Sequence, residues 1–125
     1  MGSNRSPALK ALSIVFLLCT AGQPHADSSN VIAYVNRVLL TADDSFGGCM
    51  ASLSYSTRDL GAWLGCTPGW VSFSCTGDFN SPARAYRMLD LAELALATRK
   101  KVQVWFDDAA THNGYCFANR IEVIR

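Results

Sequence analysis

The alternation of apolar and polar residues changes period along this chain, and the changes mark out its elements. Over residues 31–40, Val31, Ala33, Val35 and Arg37 fall on one side, with Ile32, Tyr34, Asn36 and Val38 on the other. That alternation, with its β-branched content, predicts a strand, preceded by a loose polar leader at 27–30. Turn-forming residues at 41–45 and Gly47-Gly48 lead into a second strand over 49–56, where Met50, Ser52 and Ser54 alternate with Ala51, Leu53 and Tyr55. A Gly-rich loop follows at 58–69, then a third strand at 70–75, where Trp70, Ser72 and Ser74 oppose Val71, Phe73 and Cys75.

The period then lengthens to that of a helix. Ser81 is a good N-cap, and Pro82 suits the first helical position, where its missing N–H would have been unpaired in any case. Good helix formers run from Ala83 to Lys100, and Ala85, Met88, Leu89, Ala92 and Leu96 make one apolar face. Arg84, Arg87, Asp90 and Glu93 mark the other side, and Arg99, Lys100 and Lys101 sit at the C-terminal end, where cations complement the helix dipole. The small residues Ala83, Ala85, Ala92, Ala95 and Ala97 permit close approach, to the protein's own sheet or to a second subunit. A fourth strand is predicted at 102–106, a turn at 107–114 ending in the hairpin signal Asn113-Gly114, and a fifth strand at 115–124.

Three strands, one helix and two strands is the chain order of a five-stranded Greek-key barrel of the oligonucleotide/oligosaccharide-binding (OB) type. The fold class expected is thus mostly β with one helix, β1-β2-β3-α-β4-β5. A split α+β sandwich is the rival arrangement.

The N-terminal segment has a different pattern. Arg5 and Lys10 precede an uncharged apolar run over 11–20, and small and turn-forming residues end at Ala26. This reads as a secretory signal over 1–26 ahead of a single domain over 27–125. An uncharged, mainly apolar run of ten residues is too short to span a bilayer, which takes roughly twenty, so no membrane insertion is expected. Lipidation at Cys19 is disfavoured because Leu18, not a small residue, precedes it. The expected location is periplasmic or secreted.

Removing 1–26 changes charge and cysteine count together. The chain has 11 basic and 10 acidic residues; the leader holds two basic and no acidic ones, leaving a formal charge of −1. A domain so balanced gives no footing for nucleic acid. Four cysteines remain, Cys49, Cys66, Cys75 and Cys116, an even set that implies two disulfides with three possible connectivities. Zinc is disfavoured because no Cys-x-x-Cys pair occurs. An antiparallel hairpin of strands two and three sets Cys49 opposite Cys75. In an OB barrel strands three and five run parallel, which brings Cys66 beside Cys116. The expected bridges are Cys49–Cys75 and Cys66–Cys116.

Catalytic candidates are few. His112 is the one histidine after residue 26 and lies in the 107–114 turn, the setting of a solvated hairpin tip. Asp43-Asp44 and Asp107-Asp108 could act as acid and base, although paired aspartates at turns usually serve the turn. No Gly-x-Ser-x-Gly, phosphate loop or His-Glu-x-x-His occurs, so the chain is not expected to be an enzyme or to hold a cofactor or metal. Binding residues are more promising, since aromatic faces beside small polar groups suit sugars. Trp63, in the Gly-rich loop, is a ligand candidate, and the Ser52, Ser54 and Ser56 face of strand two offers hydroxyls; Trp70 and Trp105, at or near strands, are expected in the core.

Gly48-Cys49-Met50 opening strand two, Phe73-Ser74-Cys75 closing strand three, and the helix running into Lys101-Val102-Gln103-Val104-Trp105 together resemble the pentameric B subunits of AB-type bacterial toxins. The similarity is greatest to those of the subtilase and typhoid types. The resemblance is one of pattern over residues 31–125. It implies a homopentamer, a glycan or glycoprotein as partner, a toxin A subunit as a further partner, and a sugar-contacting serine on strand two. The positions that match are Ser52 or Ser54, with Tyr55 near. The loop 58–69 and Asn119-Arg120-Ile121-Glu122 depart from that pattern, so sugar specificity does not carry over. The alternative reading is a monomeric periplasmic accessory or inhibitor protein that binds another protein through Trp63 and its loop, with a small hydrolase third.

Overall fold

The structure is a computed structural model, which describes Gly2, residues 28–55 and residues 65–125. The signal segment (apart from Gly2), Trp63 and most of the 58–69 loop lie outside the described residues. Five strands, β1 (Ser28–Leu40), β2 (Cys49–Leu53), β3 (Thr67–Ser72), β4 (Lys101–His112) and β5 (Tyr115–Ile124), close into a barrel in the order β1-β2-β3-β5-β4. All neighbours are antiparallel except β3 and β5, which are parallel. One helix, α1 (Pro82–Thr98), joins β3 to β4 and packs on β1, β2 and β5. This is the expected OB-like barrel.

Inward positions alternate as a half-buried sheet requires. Val31, Ala33 and Val35 of β1, Ala51 and Leu53 of β2, Val71 of β3, Val102, Val104 and Phe106 of β4, and Ala118 of β5 fill the barrel, joined by Phe73 after β3. From the helix, Ala85, Leu89, Ala92 and Ala95 are buried against them, with Met88 and Leu96 partly so. Three of the five small helical residues thus serve close packing on the barrel, while Ala83 and Ala97 face outward. Ser81 caps the helix as expected, its hydroxyl accepting the Arg84 N–H at 3.4 Å, and Arg99 ends it in a left-handed conformation.

The structure corrects several element boundaries. Residues 28–30 are not loose: they pair with Phe106, Trp105 and Asp107 of β4. The pairing register shifts between Val35 and Arg37, so Asn36 and Arg37 both turn outward and Val38 turns in, reversing the expected faces of Arg37 and Val38. A bulge of this kind adds one residue to a strand and flips the alternation beyond it. β3 begins at Thr67 and ends before Phe73, because Ser74 takes a left-handed φ of 61° that no ladder accepts. β4 runs through 107–112, where a turn was expected, and the hairpin tightens to Asn113-Gly114, both at positive φ, as a two-residue primed turn requires.

Both disulfides have the expected partners. Cys49–Cys75 ties the start of β2 to the segment after β3, with Cα atoms 5.6 Å apart. Cys66–Cys116, with Cα atoms 5.4 Å apart, fastens the parallel seam where Thr67 lies opposite Tyr115. Bridges of this kind persist in oxidising compartments. Among the described residues no helix is long and apolar enough to cross a membrane.

Candidate binding groove on the outer strand face

The outward positions of β1, β2 and β3 do not form a plain solvent face. Leu39 lies opposite Met50, Arg37 opposite Ser52, and Ser52 opposite Trp70. Met50 is only 2% exposed although it stands outside the core cluster of the barrel. Leu39, Phe46, Met50, Trp70 and Tyr115 line a groove of about 210 Å³. The Phe46 and Tyr115 rings meet edge-on, with centroids 5.8 Å apart, and the Arg37 guanidinium lies 5.0 Å from the centre of the Trp70 ring. Ser52, half-buried between Arg37 and Trp70 in the ladder, supplies a hydroxyl at the margin.

Two loops build the groove's end. Phe46 comes from the turn Ser45–Gly48 between β1 and β2, and Tyr115 from the start of β5, just past the β4–β5 turn. A polar node under the groove holds these loops in place. The Ser72 hydroxyl donates to the Phe46 carbonyl at 2.8 Å and accepts the Ser74 N–H at 3.2 Å. The Ser74 hydroxyl accepts the Phe79 N–H at 3.0 Å and shares a 3.1 Å hydrogen bond with His112 Nε2. Gly47, at φ 73°, is the piece that lets these parts meet: a Cβ there would stand 2.5 Å from both His112 Cδ2 and Ser72 Oγ.

His112 is therefore not a solvated hairpin tip. Its side chain is 12% exposed, lies against the Phe79 ring and joins the hairpin to the β1–β2 turn. The Ser74–His112 pair has the atoms of a hydrolase site but not the arrangement. Asp78 approaches the same nitrogen, Nε2, at 3.9 Å, whereas an activated serine needs its carboxylate on the other ring nitrogen. Ser74 is moreover fully buried, out of reach of any substrate. Two of these aspartates serve their own turns, Asp43 accepting the Ser45 N–H and Asp107 the Ala109 N–H, whereas Asp108 accepts the Gly65 N–H across the fold. No group of three or more His, Cys, Asp or Glu among the described residues is placed to hold a metal.

The sequence-predicted ligand residues separate in space. Ser52 flanks the aromatic groove. Ser54 is exposed beyond β2, where its hydroxyl accepts the Tyr34 N–H at 2.8 Å. Tyr55 turns towards the barrel and stacks on Phe106 at 6.1 Å between centroids; burial pushes its phenol pKa up, opposed by a hydrogen bond with the Gly69 backbone. Trp70 and Trp105, expected in the core, are half-buried on the outer face, each under a guanidinium, Arg37 at 5.0 Å and Arg120 at 4.2 Å. Their strand positions already carried the signal, since Trp70 alternates with the inward Val71 and Trp105 with Val104 and Phe106. Phe46 and Tyr115 had no such signal, because what brings them together is the loop geometry. Comparison with family models, with curated proteins and with solved structures finds no match for this chain.

Proposed function

We propose that this is an exported, non-enzymatic binding protein whose aromatic groove takes a glycan. The observation that carries the reading is the groove's position. Barrels of this type bind oligosaccharides and oligonucleotides on the strand-two and strand-three face, beside the β1–β2 and β4–β5 loops. Here that face offers Trp70, Phe46 and Tyr115 as apolar planes, with Ser52 and Arg37 as polar partners. Sugars present C–H faces to stack on such rings and hydroxyls for such hydrogen bonds. Balanced charge favours a sugar over a polyanionic strand on this face. Two disulfides and the basic-then-apolar N-terminal segment support residence in the periplasm or outside the cell.

The resemblance to toxin B subunits extends the reading to a ring of five subunits with a separate A subunit as partner. A solution mass near five protomers supports the ring, and a monomer overturns it while leaving the groove reading in place. The groove is tested by a glycan array with the oxidised protein recovered from the periplasm or medium. The wild type is expected to retain a discrete set of glycans, and Trp70→Ala to lose them by at least about tenfold, the equivalent of 1.4 kcal/mol. An array that stays blank, or binding indifferent to Trp70→Ala, overturns it.

A further inference from the structure

The larger concavity lies elsewhere, between the first half of α1 and the middle of β5. It is an open groove of about 560 Å³, within the size range of small-molecule sites. Met88, Leu91 and Ile121 form its apolar floor, and Arg84, Arg87 and Arg120 stand around it. Three arginines and no carboxylate line this groove, in a chain whose basic and acidic residues nearly balance. Arg87 is paired with Asp90 along the helix and Arg120 with Glu122 along the strand. Arg84 makes no ion pair among the described residues. The walls are a capped helix and a strand whose Arg120 and Ile121 are paired with Trp105 and Val104 of β4, so both are regular elements fixed by their own hydrogen bonds.

From this geometry we infer that the α1–β5 groove is a second binding site, for a small soluble carboxylate with an apolar body. A guanidinium fork matches a carboxylate in two parallel hydrogen bonds, and Arg84 is the group with that capacity unused. The apolar body lies on Met88, Leu91 and Ile121, where it displaces water from Leu91, which is 37% exposed. The site is independent of the aromatic groove. Tyr115 and Ile121 are six residues apart on β5, about 20 Å at the rise of a strand.

Octanoate, below its micellar concentration, is the probe, and octanol its uncharged counterpart. Arg120 lies over the Trp105 ring, so tryptophan emission reports on the site, with calorimetry giving stoichiometry. One octanoate per protomer is expected, with affinity that falls as salt is raised and with octanol at least tenfold weaker. Arg84→Gln is expected to weaken octanoate at least tenfold, and Leu91→Asp to abolish binding. Both positions are solvent-facing on the helix, and unchanged circular dichroism of each variant verifies the fold. Trp70→Ala leaves octanoate binding intact, which separates this site from the glycan reading. No saturable binding, octanol as tight as octanoate, or an Arg84→Gln variant that binds as the wild type would each overturn the proposal. So would sedimentation with phosphatidylglycerol vesicles in the absence of octanoate binding, which would assign the arginines to a membrane surface.

Discussion

The two grooves use the same device and differ in what stands across from it. In each, an outward tryptophan of a barrel strand lies near an arginine, Trp70 with Arg37 and Trp105 with Arg120. Beside Trp70 the neighbours are Phe46 and Tyr115, brought in by two loops, and the result is a small aromatic slot with a single cation. Near Arg120 the neighbour is a helix, whose first turns contribute Arg84, Arg87, Met88 and Leu91, and the result is a wider cationic trough. A stacked Arg–Trp pair thus leaves ligand chemistry undetermined. The element that packs next to it decides between a small aromatic slot and a wider groove lined by three arginines.

The difference can be attacked from either side. The largest effect is expected from opening the Cys66–Cys116 bridge, which closes a loop of 50 residues beside Tyr115. Chain entropy puts its contribution at about 4 kcal/mol, against about 3.5 kcal/mol for Cys49–Cys75, whose separation is 26. Cys66→Ala with Cys116→Ala should therefore lower stability in urea by roughly that amount. It should loosen the aromatic slot, while the trough, held by α1 on β5, keeps its octanoate affinity in the folded fraction. An unfolding midpoint equal to that of the wild type would show the parallel seam to be held without the bridge.

A smaller effect, again on the slot, is expected from Gly47→Ala. Its Cβ would meet His112 and Ser72 at 2.5 Å, and its φ of 73° is costly for any residue with a side chain. About 2 kcal/mol is expected from strain of this kind. Thermal unfolding would measure the loss, and glycan binding should fall more than octanoate binding, because Phe46 and the hairpin shift together. Ser81→Ala is the mirror experiment at the trough. Losing the bond from the Arg84 N–H costs about 1 kcal/mol and frays the first turn of α1. Faster amide exchange over residues 83–87 with unchanged glycan binding is the expected pattern; equal fraying at both sites would break the distinction.

How far each groove could be read in the sequence follows the same division. The helix is legible because its cap, its Pro82 and its apolar spacing are all local, and local signals survive whatever surrounds them. The trough's arginines were visible as the polar side of that helix, but its other wall was not, since nothing local brings Arg120 and Ile121 of β5 against it. The slot was harder still. Ser52 and the outward phase of Trp70 follow from alternation, yet the size of Trp70 and its place on a strand point to the core, and the two signals conflict. Met50, at 2% exposure outside the core, shows that burial on a small barrel is not confined to its interior.

The strand limits failed for a related reason. Residues 28–30 and 107–112 carry no large apolar side chain, and periodicity counts such side chains, whereas a ladder is built from backbone groups that every residue but proline carries in full. The outward turn of both Asn36 and Arg37 comes from a bulge, which depends on the register with β2 and leaves no mark in β1 itself.

By itself, then, the sequence determined the order of elements, the helix and its ends, and the even set of cysteines, because these rest on local propensity and on counting. The two bridges became predictable only with a barrel in mind, and the barrel bears them out. Tertiary structure alone decided that β4 and β5 extend to a two-residue turn, that His112 is tucked against Gly47 and Ser74, and that two Arg–Trp pairs open onto different surfaces. Each of these depends on groups far apart in the chain, and only closure of the barrel brings them within reach of one another.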